Sequence, residues 1–156
     1  MTGVKLVPVD EEEFRRYMEF SVKNYAEEKV KSGNWQPEDA MEKSRRAFSE
    51  LLPRGKDTPG HSLMIIVPEN GERAGILWFE AENWELKGAY IWDIVVWPEH
   101  RGKGIGEGAM LALEEFLRAR GIKSINLHVF GHNTVAISLY EKLGYRPTNM
   151  NMRKLL

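Results

Sequence analysis

The spacing of hydrophobic residues changes along the chain, and each change predicts a different element. An apolar run at 4–9 predicts a first strand. Apolar positions then recur at helical spacing over 10–33, where Asp10 and Glu13 form the Asp-x-x-Glu pattern of a helix start. A second helical pattern lies over 37–53, between two prolines. The first third of the chain therefore predicts a strand followed by two helices.

The middle of the chain is typical of strands. Segments 62–67 and 73–79 flank Asn70 and Gly71, a dipeptide that favours a tight hairpin turn. Segment 89–97 is rich in β-branched and aromatic residues, which favour strands. Three consecutive extended segments predict an antiparallel meander.

Helical spacing returns in the second half of the chain. A glycine-rich segment at 100–108 leads into a helix that ends near residue 120, and a strand is predicted at 125–130. A last helix is predicted over 133–144, with a capping asparagine at its start and a glycine at its end. The remaining segment, 146–155, is predicted to form a final strand or hairpin.

The order of these elements defines a fold class. The strand–helix–strand order over 89–130 requires one parallel pair of strands, because a helix must carry the chain back across the sheet. The sequence predicts an α+β (mixed α/β) fold: a central, mostly antiparallel twisted sheet with one parallel β-α-β unit and helices on both faces. The 156 residues contain no repeat or linker, which predicts one domain over 1–156.

Composition narrows the function. The chain has 22 Lys plus Arg and 23 Asp plus Glu, a balance that does not favour nucleic-acid binding. It has no cysteine, so it has no thiol nucleophile, disulfide or Cys-ligated metal, and no metal site is predicted. No apolar run approaches the roughly 20 residues of a membrane span, and 1–13 lacks the apolar core of a signal peptide. A cytoplasmic protein without a membrane partner is expected.

The junction after the 89–97 strand is the strongest candidate for a binding site. It combines three glycines with two basic residues where a strand ends and a helix begins. Its members are Arg101, Gly102, Lys103, Gly104, Ile105, Gly106 and Glu107. Glycine permits positive φ and close approach of a ligand, and the free N–H groups of a helix start attract anions. The junction predicts a cradle for a phosphate or pyrophosphate; the alternative is an ordinary tight turn.

Two other phosphate motifs fit less well. The P-loop pattern is absent from the chain. Gly104, Gly106 and Ala109 can be fitted to the Gly-x-Gly-x-x-Ala pattern of dinucleotide sites. That motif requires an acidic residue at the end of the next strand, and 125–130 contains no Asp or Glu. A dinucleotide-dependent oxidoreductase is therefore disfavoured.

Two motifs resemble those of the GNAT superfamily of N-acetyltransferases. The spacing Arg101-x-x-Gly104-x-Gly106 matches that family's Arg/Gln-x-x-Gly-x-Gly/Ala signature. Segment 133–145 is similar to the family's last helix, which begins after an asparagine and ends in Leu-Gly-Phe/Tyr. The resemblance covers about 88–146, and the earlier part of the chain matches only in the order of its elements.

The resemblance implies acetyl transfer from acetyl-CoA directly to a primary amine of a small-molecule or peptide acceptor. The pyrophosphate of coenzyme A would bind the glycine turn. The pantetheine arm would lie between two splayed strands, along the backbone of Ile94, Val95 and Val96, and Asn133 would hydrogen-bond it. A backbone N–H near Val95 or Val96 would polarise the thioester carbonyl. The alternative is a CoA-binding regulatory module without catalysis.

The resemblance also implies catalytic residues. Tyr140 is the expected acid for the departing thiolate; otherwise it is only a buried aromatic. Some members of the family carry a glutamate five residues before the asparagine, and this chain has His128 there. His128 is the expected base, with a purely structural histidine as the alternative. Asp93, Glu80 or a water molecule are the rival bases.

The acceptor half is predicted least well. Trp35 lies between the first two helices, where the resemblance implies an acceptor-site loop. Trp78, Trp84 and Trp92 are expected to pack in the core or to line a pocket. Segment 149–155 is suited to pairing at the edge of a homodimer. The absence of cysteine fits direct transfer, because a cysteinyl acyl-enzyme cannot form.

Overall fold

A computed structural model describes residues 3–83 and 85–156, and within them it shows five strands and four α-helices. Trp84 lies outside the described residues. The elements are β1 (Lys5–Pro8), α1 (Glu11–Lys31), α2 (Ala40–Leu51), β2 (Ser62–Val67), β3 (Gly75–Asn83), β4 (Gly88–Val96), α3 (Ile105–Ala119), β5 (Ile125–Leu127) and α4 (Thr134–Lys142). Short 3₁₀ turns lie at Gly55–Asp57 and Pro98–His100. None of these helices combines the length and apolar character needed to cross a membrane.

The five strands form one mixed sheet in the order β1-β2-β3-β4-β5. The first four strands pair antiparallel in sequence order, which confirms the predicted meander. The last pair, β4 and β5, is parallel, with α3 as the connection between them. The predicted α+β fold is confirmed.

Each face of the sheet packs against two of the helices. Buried residues of β2, β3 and β4 form a first core with α3, and Tyr140 of α4 and the C-cap residue Leu143 pack against that core. The opposite face forms a second core with α1 and α2, centred on Tyr17, Phe48 and Trp78. Successive side chains of a strand point to opposite faces of the sheet, so each strand contributes apolar residues to both cores.

Helix α1 aligns a stripe of residues along the second core. The Asp10 carboxylate accepts a 2.9 Å hydrogen bond from the Glu13 N–H, which confirms the predicted cap. Tyr17 and Ser21 are buried and Tyr25 is half-buried. Their spacing of four residues places them on one side of the helix, facing the sheet.

A β-bulge in β4 rotates two of its side chains onto the same face. Trp78 pairs with Asp93 and Phe79 pairs with Ile91, so Trp92 is the extra residue. Asp93 bonds to Tyr17 of α1, and Trp92 stacks on Trp78 with 5.6 Å between ring centroids. Both side chains therefore face α1 and α2.

Two sequence predictions are wrong in the last part of the chain. Strand β5 ends at Leu127, not at residue 130, because β4 and β5 diverge and no partner continues the ladder. Segment 146–155 forms neither a strand nor a hairpin, although its polar and apolar residues partly alternate. Met150 and Met152 are exposed, and a strand requires both a paired backbone and a covered face.

Candidate active site

The parallel pair β4–β5 opens into a gap. Its ladder spans three residue pairs, from Ala89 with Ile125 to Ile91 with Leu127. Beyond that point β4 continues to Val96, whereas the chain after Leu127 leaves the strand conformation. One edge of the second half of β4 therefore has no strand beside it.

The register of β3 with β4 shows which backbone groups face this gap. The Trp97 N–H donates to the Ala74 carbonyl at 2.8 Å, so the pair Ala74–Trp97 is hydrogen-bonded. Because hydrogen-bonded and non-hydrogen-bonded pairs alternate, Val95 points its backbone groups at β3. Val96 and Ile94 then point theirs at the gap. Of the two N–H groups predicted to polarise a thioester, that of Val96 is the one that faces the open side.

The glycine turn lies at the end of this strand and has the backbone expected of an anion cradle. Gly102 and Gly104 have φ of 77° and 75°, and nothing lies within 4 Å of a Cβ added at either position. Gly104 is the N-cap of α3, so the first N–H groups of this helix have no helical acceptor. These N–H groups and the helix dipole favour an anion.

The side chains of the turn tie it to neighbouring elements. Arg101 donates from Nε to the Val96 carbonyl oxygen at 2.9 Å, and Glu107 pairs with Lys142 of α4 at 2.9 Å. The Lys103 ammonium lies 3.5 Å from the Glu99 carbonyl oxygen and is exposed. A Cβ added to Gly106 would lie 3.8 Å from both Val96 and Leu139. The start of α3, the end of β4 and helix α4 therefore meet at one place.

Asp93 is the most strongly perturbed carboxylate beside the gap. The Tyr17 hydroxyl donates a 2.8 Å hydrogen bond to its Oδ2. Burial raises the pKa of Asp93 from 3.8 to about 6, while the hydrogen bond from Tyr17 and the Ile94 N–H act in the lowering direction. Asp93 is thus a carboxylate that changes protonation near neutral pH, which suits an acid–base group.

Tyr140 of α4 lies close enough to Asp93 to interact with its charge. Burial, and secondarily the negative charge of Asp93, raise the pKa of Tyr140 to about 12. The ring is half-buried against the first core and meets Tyr145 edge-on, with 5.8 Å between centroids. Tyr140 is therefore a protonated phenol at neutral pH and can donate a proton.

His128 lies apart from this pair. It follows the last residue of β5, and its ring meets Phe130 edge-on at 5.0 Å. Partial burial, with a smaller effect of the Lys29 charge, lowers the pKa of His128, which favours the neutral imidazole. Asn133 is the N-cap of α4, since its Oδ1 accepts from the Ala136 N–H at 3.2 Å. The side-chain amide N–H groups of Asn133 are not needed for that cap.

The rings of Tyr25, Trp35 and Phe130 form an aromatic wall, which lies beyond Asp93 in the direction of the C-terminal end of α1. The Tyr25 ring lies 5.4 Å from Trp35 and 6.4 Å from Phe130, measured between centroids. Trp92 donates from Nε1 to the Glu80 carboxylate at 2.7 Å, so Glu80 faces the same side of the sheet. The predicted loop therefore contributes Trp35 to this wall.

Sequence reasoning missed Tyr17, Tyr25 and Phe130 as members of the site. Tyr17 and Tyr25 lie in the segment 10–33, whose apolar spacing predicts a helix and no function. Their four-residue spacing with Ser21 is visible in the sequence, but which strand this stripe meets is decided by packing.

Comparison with known proteins agrees with this geometry. Residues 23–145 match the model of the acetyltransferase (GNAT) family. Because the match covers most of the chain, the protein belongs to the GNAT acetyltransferase family. The glycine turn lies within the matched residues.

Similar proteins support the same assignment. The chain is 42% identical to the uncharacterized N-acetyltransferase YycN of Bacillus subtilis over 98% of this chain and 99% of YycN. The crystal structure of YycN superposes with a TM-score of 0.92 over 98% of each chain. Spermidine N-acetyltransferase from Vibrio cholerae, solved with CoA and spermine, shares the fold at a TM-score of 0.60 and 17% identity, over 92% of this chain and 81% of that one.

A further similarity is partial. Thialysine N-epsilon-acetyltransferase of Bos taurus is 34% identical over 70 residues, which are 45% of this chain and 41% of that protein. The chain thus resembles acetyltransferases of amines without sharing the full length of this one.

Proposed function

We propose that the protein transfers the acetyl group of acetyl-CoA directly to a primary amine of its acceptor. The observation that carries this proposal is the meeting of three features at one gap. These are the open backbone of β4 at Val96, the glycine turn that starts α3, and the Asp93–Tyr140 pair. Family membership supports acetyl transfer in general, and the pair supplies the groups that transfer to an amine needs.

Binding of the co-substrate would use mainly backbone groups. The N–H groups from Gly102 to Glu107 would hold the pyrophosphate, with Arg101 and Lys103 adding positive charge. The pantetheine arm would pair with the open edge of Ile94 to Val96, with the amide of Asn133 beside it. The Val96 N–H would then lie where negative charge develops on the thioester oxygen.

The reaction requires two protons to leave the amine nitrogen and one to reach the departing sulfur. An alkyl ammonium with a pKa of about 10 must lose its first proton before its nitrogen can attack. The nitrogen then forms the C–N bond to the acetyl carbon, the C–S bond breaks with both electrons leaving on the thiolate, and the nitrogen releases its second proton to give the neutral amide. We assign Tyr140 as the acid that protonates this thiolate, giving free CoA thiol.

Asp93 is our first candidate for the base that accepts the amine proton. The negative charge of Asp93 raises the pKa of Tyr140, so the two side chains lie near each other. The pKa of Asp93, about 6, leaves most of this carboxylate ionised at pH 7. His128 is the second candidate, because its lowered pKa favours the neutral imidazole and its ring contacts Phe130, which in turn contacts Tyr25. Glu80 would help to attract the cationic amine.

The test is an acceptor panel with acetyl-CoA held constant, scored both by thiol release and by the mass of the product. A gain in acceptor mass equal to one acetyl group, with one thiol per product, supports acetyl transfer to the amine. Binding of acetyl-CoA without product formation from any amine would support a regulatory CoA-binding module. A rise in melting temperature with acetyl-CoA measures binding separately from turnover.

A further inference from the structure

Lys29 occupies a fixed position at the end of α1. Its carbonyl oxygen accepts hydrogen bonds from the Asn34 N–H at 2.9 Å and the Trp35 N–H at 3.2 Å. The Ser32 hydroxyl donates to the same oxygen at 3.0 Å. The loop that carries Trp35 is therefore built around Lys29, and the lysine side chain is held between this loop and its own helix.

The ammonium group of Lys29 lies against aromatic rings. Its Nζ is 5.3 Å from the Trp35 centroid and 5.5 Å from the Tyr25 centroid. Within residues 3–83 and 85–156, no carboxylate forms an ion pair with it, and the adjacent Glu28 is engaged with His132. Lys29 is half-buried. An ammonium whose neighbours are aromatic rings keeps a positive charge that no carboxylate neutralises, so an anion that reaches it can form a charge-assisted hydrogen bond.

Lys29 faces the acceptor side of the sheet. The Tyr25 ring that it contacts also meets Phe130, which follows β5. The charge of Lys29 acts on His128, two residues before Phe130. Lys29 is therefore at the end of the aromatic wall that lies farther from Asp93.

The helix sets the length of this wall. Tyr17 bonds to Asp93, and Tyr25 lies eight residues further along α1, which is about 12 Å at 1.5 Å per residue. The Lys29 side chain leans back towards Tyr25, as helical side chains do. This rise along the helix axis sets the scale of the acceptor, because an extended six-carbon chain with a hydrogen bond of about 2.8 Å at each end has about that length.

We propose that the acceptor is an amine that also carries an anionic group, separated from the amine by an apolar spacer, and that Lys29 binds this anion. This inference rests on the proposed acetyl transfer. The amine would lie at Asp93, the spacer along Tyr25 and Phe130, and the anion at the Lys29 ammonium. A carboxylate is an anion that an ammonium can bind through a charge-assisted hydrogen bond, so the substrate class is an ω-amino carboxylate.

The experiment compares 6-aminohexanoate with hexylamine as acceptors, since they differ only in the carboxylate. The variants are Lys29→Met, which keeps most of the side-chain length and removes the positive charge, and Lys29→Arg, which keeps the positive charge. Lys31→Met, an exposed lysine on the same helix, is the matched control. We expect kcat/KM for 6-aminohexanoate to exceed that for hexylamine about tenfold in the parent protein, because one charge-assisted hydrogen bond is added.

In Lys29→Met this preference should disappear through loss of rate on 6-aminohexanoate alone, and Lys29→Arg should retain it. The proposal is overturned if the parent protein shows no preference for 6-aminohexanoate. It is also overturned if Lys29→Met lowers the rates on both acceptors equally, since that result marks a structural role.

A binding measurement separates this proposal from the proposed function. Hexanoate should raise the melting temperature of the CoA-bound parent protein and of Lys31→Met, and should not raise that of Lys29→Met. If this holds while no amine is acetylated, the anion site stands and the proposed catalysis falls. If hexanoate raises the melting temperatures of the parent protein and Lys29→Met equally, the proposed anion site is wrong. It is also wrong if hexanoate raises neither, and both conclusions hold whatever the result of the catalytic assay.

Discussion

The Tyr17 hydroxyl donates a 2.8 Å hydrogen bond to Oδ2 of Asp93, joining helix α1 to strand β4 across 76 residues of sequence. The bond holds a carboxylate with a raised pKa against the gap where β4 and β5 diverge. It stabilises the ionised form of Asp93, whereas burial destabilises it. The balance between these two effects gives Asp93 a pKa of about 6.

Replacing Tyr17 with Phe should move the acid limb of the pH–rate profile to higher pH. The parent protein should lose kcat/KM below about pH 6, where Asp93 becomes protonated. Loss of the hydrogen bond removes a lowering effect on the Asp93 pKa, so the limb should rise by about one pH unit. The measurement is kcat/KM against pH for one amine. If the acid limb of Tyr17→Phe lies at the same pH as that of the parent protein, the hydrogen bond from Tyr17 does not set the pKa of the catalytic base.

The two candidate bases give different pH profiles. If Asp93 is the base, Asp93→Asn should lower kcat/KM by about a hundredfold or more and abolish the limb near pH 6. His128→Ala should then retain that limb, with a smaller change in rate. If instead His128→Ala removes the limb and Asp93→Asn retains it, His128 is the base. Circular dichroism of both variants checks that the fold is intact.

Removing the Tyr140 hydroxyl should affect turnover more than binding. Tyr140→Phe keeps the ring against the first core but cannot protonate a thiolate, so kcat should fall by about a hundredfold. The dissociation constant for acetyl-CoA, measured by calorimetry, should change less than about threefold. A variant that keeps the full rate would contradict the acid role, and Tyr145→Phe is the control on a neighbouring ring.

Asp93→Asn should make the protein more stable at high pH. The folded pKa of about 6 lies above the ordinary value of 3.8, so the proton favours the folded state. The stability from this proton is full below about pH 3.8 and is lost as the pH rises through about 6. Because one pH unit corresponds to about 1.4 kcal/mol, the ionised carboxylate costs up to about 3 kcal/mol at about pH 8.

Urea unfolding of the parent and Asp93→Asn at about pH 4 and about pH 8 checks this sign. The gain in the free energy of unfolding should be present at the higher pH and nearly absent at the lower. Asparagine can still accept the Tyr17 hydrogen bond. A gain of equal size at both values would show that the charge of Asp93 is not its cause.

Alanine should have different effects on stability at two positions of the glycine turn, because Gly104 has a positive φ and Gly106 does not. Gly104 has φ of 75°, so Gly104→Ala should cost about 1 kcal/mol of stability and weaken acetyl-CoA binding as the turn distorts. At Gly106 a methyl group meets only ordinary contacts at 3.8 Å, so Gly106→Ala should leave the melting temperature nearly unchanged. Equal melting temperatures for the two variants would contradict this account of the turn.

The backbone geometry of the glycine turn was predictable because its signals are local. The glycine turn is one short segment, and its positive φ values and its position at a helix start follow from neighbouring residues. The cap at Asp10 and the turn after Asn70 are local for the same reason. The strand predicted at 146–155 failed because a strand depends on a partner, and its own residue pattern does not supply one.

The groups around Asp93 and Lys29 were not predictable as neighbours, since they come together only by packing. Asp93 was recognised as a candidate, but its partner Tyr17 comes from a helix 76 positions earlier. The bulge at Trp92 turns two consecutive side chains to one face, which strict alternation would not predict. Lys29 had no motif at all, and its setting depends on how α1, its loop and the chain after β5 meet.

The sequence by itself determined the family, the order of the elements and the glycine turn, because each depends on short segments with their own propensities and spacing. Tertiary structure alone decided which backbone groups of β4 face the gap, which residues surround Asp93, and where the Lys29 charge lies. These are consequences of strand register and of helix packing on a sheet. They therefore arise only when residues far apart in sequence become neighbours.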